Sequence, residues 1–151
     1  MSNLNLRKLI ASFFRGRNRS NKFFAYSHPL QGTWKLRSVS NKTKTYTEEE
    51  LDRNNNEIYL DISGSRFRQL INGDWRHKGQ IFLSDNESPR RMKWIYDSPF
   101  GSDDMTELIY KIEDGFLSLI AERNSSDDSK LFEPGNNTNL LVYRKVMKVD
   151  R

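Results

Sequence analysis

The chain has no cysteine among its 151 residues, only two histidines and four prolines, and no Asp or Glu before Glu48. Each absence excludes something. Without cysteine there is no disulfide framework, no thiol nucleophile and no thiolate-bound metal. His28 and His77 stand far apart, with no second histidine at a ligand spacing, so no His-based metal centre is expected. No apolar run approaches the roughly 20 residues of a membrane-spanning helix. The N-terminal region also lacks an apolar stretch ending in a small-residue cleavage site, so the expectation is a cytoplasmic protein without a secretory signal. That region is similar to an organelle transit peptide only in being Arg-rich and acid-free.

Candidate catalytic groups are equally sparse. Ser63-Gly64-Ser65 lacks the strand–turn–helix setting of a nucleophile elbow. The acidic pairs Asp103-Asp104 and Asp127-Asp128 belong to no regular calcium loop. His77, between Arg76 and Lys78, reads as an outward residue of a strand. The chain is therefore read as a non-enzyme that needs no cofactor or metal.

What is present divides the chain in two. The net charge of +5 hides ten Lys or Arg residues and no acid from Met1 to Thr47, after which fifteen basic residues meet all twenty acids. The expected plan is a basic N-terminal arm over residues 1–28 and one domain over 29–151. At helical periodicity, Leu6, Leu9, Ile10, Phe13 and Phe14 gather on one side of the arm, opposite Arg7, Lys8, Ala11 and Arg15. Asn3 or Asn5 suits the start of such a helix, and Gly16 suits its end. Three turns do not persist alone in water, so the segment calls for a surface: its own domain, an anionic membrane interface or an acidic protein. The Arg7, Lys8, Leu9, Ile10, Phe13, Phe14 and Arg15 side chains are the expected contacts in the membrane or partner case. The stretch "GRNRSNKFFAYSHP" interleaves cations and aromatics, but no nucleic-acid module frames it, and nucleic acid is not the expected partner.

The domain reads as strands nearly throughout. "GTWKLRSVS", "EIYLDI", "SRFRQLI", "WRHKGQIFLS", "RMKWIYD", "MTELIYKIE", "FLSLIAER" and "NLLVYRKVMK" are separated by turn residues. Asn72-Gly73 and Asp114-Gly115 are the sharpest of these, since a type I′ hairpin needs positive φ at both central positions. Thr47 with Glu50 forms a capping box for a short helix or turn. In the first strand Trp34, Leu36 and Ser38 are expected on one face, with Lys35, Arg37 and Val39 on the other. Eight short antiparallel strands predict an all-β, up-and-down barrel, because closure removes exposed edges.

The residues "LQGTWKLRSVS" resemble the Gly-x-Trp opening of lipocalins and of the related fatty-acid-binding proteins. From about Pro29 to Val146 the chain is most similar to the small, uncharacterised lipocalin-like domains of planctomycete-type bacteria. The resemblance is carried by Gly32-Thr33-Trp34, "EEELDRNNNEIYLDISGSRF", Gly79 ahead of Pro89-Arg90, "LIYKIEDGFLSLIA", and "LFEPGNNTNLLVYRKV". The chain departs from that pattern at Ser129-Lys130 and in "DSPFGSDDMTE". The resemblance implies that Trp34 plugs one end of the barrel over a tight turn at Gly32, under a basic side chain of the last strand: Arg144 first, Lys145 second. It also implies a binding module whose interior, lined by Leu60, Phe67, Phe82, Trp94, Tyr110 and Leu119, takes a small apolar or aromatic ligand. The alternative is a filled barrel that acts through its basic arm at a membrane or an acidic partner.

Overall fold

A computed structural model describes residues 28–86, 88–97, 105–121, 128–135 and 138–147. The amphipathic segment assigned to the arm lies outside the described residues. The chain forms β1 (Gly32–Ser40), β2 (Thr45–Thr47), a short helix α1 (Glu48–Arg53), β3 (Ile58–Ser63), β4 (Arg66–Ile71), β5 (Asp74–Ser84), β6 (Arg90–Tyr96), β7 (Met105–Glu113), β8 (Phe116–Ile120) and β9 (Leu140–Val146). All eight segments expected to be strands are strands. The short β2 is an addition, paired to the far end of β1 through Ser38–Ser40.

Strands β1 and β3 to β9 pair antiparallel in chain order, and β9 returns to pair with β1, closing an eight-stranded barrel. Turn chemistry drives this. Asn72 and Gly73 have φ of 52° and 91°, and Asp114 and Gly115 have φ of 54° and 82°, as both hairpins require. Thr47 and Glu50 exchange the two hydrogen bonds of a capping box at the start of α1.

The up-and-down order gives the barrel two ends. One end, the floor, holds the start of β1, the β3–β4 and β7–β8 turns, and the end of β9. The other, the mouth, holds the end of β1, the β4–β5 turn, the end of β6 and the start of β9. Inward residues follow the two-residue period, and the core gathers Trp34, Leu36, Leu60, Ile62, Phe67, Ile81, Met92, Trp94, Tyr110, Leu117, Leu119 and Tyr143. A second apolar cluster, Ile109, Ile120 and Leu131 with Phe132 and Leu140, lies on the opposite face of β7 to β9.

The floor is sealed by residues 28–31. Leu30 is fully buried, and its carbonyl accepts the Trp34 indole N–H at 2.9 Å. Gln31 exchanges two hydrogen bonds with the backbone of Gly64, at 2.8 and 2.9 Å. Trp34 is thus buried at the floor as expected, but the residue over it is Lys145, with Nζ 5.1 Å from the ring centroid. Arg144 does not cover the indole. The register pairs Trp34 with Lys145 and Lys35 with Arg144, so Arg144 faces outward, where Glu48 of α1 accepts from its Nε and Nη2 at 2.8 and 3.0 Å. Gly32 has φ of +122°, and a Cβ there would stand 2.9 Å from the Lys145 side chain.

Two bulges alter the expected faces. Arg37 is an extra residue of β1 against β9, which brings Val39 rather than Ser38 onto the core side. Arg76 is an extra residue of β5 against β4, so that Gln69 meets His77 and Leu70 meets Trp75.

Candidate functional site

An eight-stranded barrel is just wide enough for its side chains or one small ligand, so the exposure of its inner residues decides where anything can bind. Deep in this barrel nothing is accessible. Trp34, Leu60, Ile62, Phe67, Ile81, Trp94, Tyr110, Leu117 and Leu119 are all at most 3% exposed. Five residues expected to line a ligand, Leu60, Phe67, Trp94, Tyr110 and Leu119, therefore do face the interior together, but as packed core. Phe82 does not join them. It pairs with Lys93, one residue out of step with the inward Ile81, and faces outside.

Half-buried side chains pack against the core at both ends: Val39, Ile58, Tyr96, Leu108 and Leu141 toward the mouth, and Leu83 and Ile112 toward the floor. A run of rings climbs to the mouth. Phe67 stacks on Trp94 with centroids 4.8 Å apart, and meets the edge of Tyr96 at 5.5 Å. Tyr96 in turn meets the edge of His77 at 5.8 Å, and His77 itself is exposed. Gly79 makes the run possible. It pairs with both Phe67 and Tyr96, and a Cβ on it would lie 2.0 Å from the Ile95 carbonyl oxygen and 2.9 Å from the Phe67 ring.

His77 was expected to point outward. The Arg76 bulge reverses that: His77 falls in step with Gly79 and Gln69, on the inner register. Trp75, beyond the bulge, is 45% exposed, with the Arg68 guanidinium 4.3 Å from its ring centroid.

Polar groups in the interior are few. The Trp94 N–H donates to the Met92 sulfur at 2.9 Å, a weak acceptor. Tyr143, 2% exposed, lies in register between Leu36 and Leu117 on the inward face. Burial holds its phenol ionisation well above the ordinary value, with the neighbouring Tyr96 acting in the same direction. The hydroxyl stays protonated and has a proton to donate.

A second cluster sits at the floor. The Tyr110 hydroxyl donates to Asp85, whose other oxygen lies 2.6 Å from His28 Nε2, while His28 Nδ1 accepts from the Leu30 N–H at 3.1 Å. Arg90 stands 5.5 Å from the Tyr110 ring centroid. Burial disfavours the Asp85 anion, but the bonds from His28 and Tyr110, with the charges of His28 and Arg90, outweigh it and hold the carboxyl below its ordinary range. For Tyr110, burial first and then the bond to Asp85 push ionisation up. Every group here is engaged, so the cluster reads as a clasp that fastens residues 28–30 under the barrel.

On the outer wall, Lys35 contacts Asp52 at 2.9 Å and Glu48 at 3.3 Å, tying α1 to β1. Among the described residues no three His, Asp or Glu side chains converge so as to hold a metal ion, and no helix is long and apolar enough to cross a membrane.

Sequence reading missed Gln69, His77, Tyr96 and Tyr143. Alternation in "LLVYRKV", with Leu141, Tyr143 and Lys145 on one side, already carried the signal for Tyr143. His77 carried none, because its direction depends on a bulge. No family model, curated protein or solved structure matches this chain.

Proposed function

We propose that this protein is a non-catalytic, lipocalin-like binding module for a small apolar or aromatic molecule, seated at the mouth of the barrel rather than at its centre. The observation that carries this reading is the ladder of rings from the buried Phe67–Trp94 stack through Tyr96 to His77 at the rim. A planar apolar ligand gains most where ring faces and half-buried aliphatic side chains meet at a concave edge. Val39, Leu108 and Leu141 supply the aliphatic part. The resemblance of the Gly32-Thr33-Trp34 opening to lipocalins supports the same function, since those barrels take ligands from one open end while a Trp closes the other.

The test is a fluorescence titration with 1-anilinonaphthalene-8-sulfonate. Saturable one-to-one enhancement is expected, weakened about fivefold or more by Tyr96→Ala and unaffected by Trp75→Ala. Enhancement that ignores Tyr96 and disappears with Trp75 places the binding on the outer wall and overturns the proposal. The absence of saturable enhancement does so too.

A further inference from the structure

On the outside of the barrel, strands β3, β4 and β5 carry two cross-strand rows that the core does not explain. Nearer the mouth, Tyr59, Leu70 and Trp75 lie side by side, and the next row is Asp61, Arg68 and Lys78. Leu70 is sealed between its two register partners, whereas Trp75 stays half exposed. The Arg76 bulge sets this, because it brings Trp75 opposite Leu70 on the outer face. The second row sets two cations, Arg68 and Lys78, directly opposite one another, a pairing that repels and costs stability. Asp61 relieves it only from the wall side. Its carboxylate, 14% exposed, accepts from Arg68 Nη2 at 2.9 Å, while the Arg68 side chain stays 50% exposed. Arg76 and Lys78 are exposed beside it.

The form of this face restricts its partner. Strands β3, β4 and β5 are each paired on both sides, so they offer no open edge to a further peptide strand. The outer wall of a closed barrel is convex, which gives a helix or an extended peptide no groove to lie in. One face of the Trp75 ring is already covered by Arg68, whose guanidinium carbon stands 4.3 Å from the ring centroid, and a nucleic-acid base needs a free face to stack on. A deformable anionic surface meets none of these obstacles. An indole gains at the boundary between lipid headgroups and acyl chains, and Lys or Arg beside it meets the anionic headgroups.

We propose that the face formed by Arg68, Trp75, Arg76 and Lys78 docks on an anionic phospholipid bilayer. Trp75 enters the headgroup boundary. Arg68 and Lys78 hold the headgroups, and a lipid phosphate between them relieves their mutual repulsion. The face lies on the outer wall, so it stands whether or not the mouth takes a ligand.

Tryptophan emission of the full-length protein tests this, because Trp34 and Trp94 are buried and Trp75 is the exposed one of the three. With vesicles of phosphatidylcholine and phosphatidylserine at about two to one, the emission maximum should move to shorter wavelength, and brominated phosphatidylcholine in the same vesicles should quench it. Vesicles of phosphatidylcholine alone should leave the emission unchanged. In co-sedimentation with the mixed vesicles, Trp75→Ala and Lys78→Gln should each weaken binding about fivefold. Binding that is unchanged in both variants, with unshifted emission, belongs to the basic arm and overturns the proposal. Equal binding to phosphatidylcholine alone overturns it as well. An emission that responds to single-stranded oligothymidylate and not to vesicles, or the absence of vesicle binding, does the same.

Discussion

Lys145 lies with its ammonium 5.1 Å from the centroid of the Trp34 ring and its Nζ 2.6 Å from the Gln31 carbonyl, so one side chain of the last strand covers the plug and holds the strap beneath it. Its neighbour Arg144 faces the other way, to Glu48. Removing the plug should cost far more than removing its cover. Trp34→Ala is expected to destabilise by about 3–5 kcal/mol, as for other large buried aromatics. Lys145→Ala should cost about 0.5–2 kcal/mol, and Arg144→Ala about 1 kcal/mol, as a half-exposed ion pair screened by solvent. Urea denaturation of the three variants gives the order. Equal losses at Trp34 and Arg144 would count against this assignment of the floor.

Gly79 is the tightest point of the wall. A methyl group there meets a backbone carbonyl oxygen at 2.0 Å, and backbone cannot rotate away as a side chain can. Gly79→Ala should therefore destabilise by about 3 kcal/mol, at the upper end for overpacking. It should also disturb the Phe67–Trp94 stack, read as a change in near-ultraviolet circular dichroism. A neutral outcome would mean that β5 and β6 do not pair in the described register.

The Asp85 clasp makes stability depend on acid. The folded chain holds this carboxyl below its ordinary value of 3.8, so it binds a proton less readily than the unfolded chain does. Its contribution is complete above about pH 4 and lost as pH falls through the folded value. Glu48 acts in the same sense, mainly through its bond from Arg144. The urea midpoint should fall between pH 5 and pH 3, and Asp85→Asn should flatten part of that fall. A slope unchanged in the variant would remove Asp85 from the account.

The buried tyrosines act at the other extreme. Tyr110 and Tyr143 ionise well above the ordinary 10.0 in the folded chain, so their contribution is complete below pH 10 and is lost as pH rises beyond it, where the unfolded phenols ionise. Alkaline titration followed by ultraviolet absorbance should find Tyr110 and Tyr143 silent until the protein unfolds. Tyr143→Phe should remove one of these two late-titrating groups and leave that of Tyr110.

Much of the barrel was legible because its signals are local. Asn72-Gly73, Asp114-Gly115 and the Thr47–Glu50 box each fix their own backbone within a few residues, and the alternation in "EIYLDI" and "MTELIYKIE" gives the inward face directly. The extra strand β2 was not legible: three residues, Thr45–Thr47, are too few for any periodicity.

The site was less legible, for a reason that can be traced residue by residue. A two-residue turn at Asn72-Gly73 followed by regular pairing sets Ile71 opposite Asp74 and Arg68 opposite His77, leaving His77 outside. One inserted residue, Arg76, moves His77 to face Gln69. The Arg37 bulge does the same for Val39. Phe82 was misplaced because the continuous apolar run "IFL" hides the alternation, and the pairings of Ile81 with Trp94 and Leu83 with Met92 decide it. The exchange of Arg144 for Lys145 over Trp34 is likewise a one-residue question of register, which only the β1–β9 pairing answers.

The most direct test of the mouth site is the backbone amide spectrum of the isotope-labelled protein, recorded as 1-anilinonaphthalene-8-sulfonate is added. The account predicts shifts concentrated at Gln69, His77, Tyr96 and Leu141, with the floor residues Gly64 and Gly115 unmoved. Shifts centred on Trp75 and Arg68, or a spectrum that does not change, would contradict it.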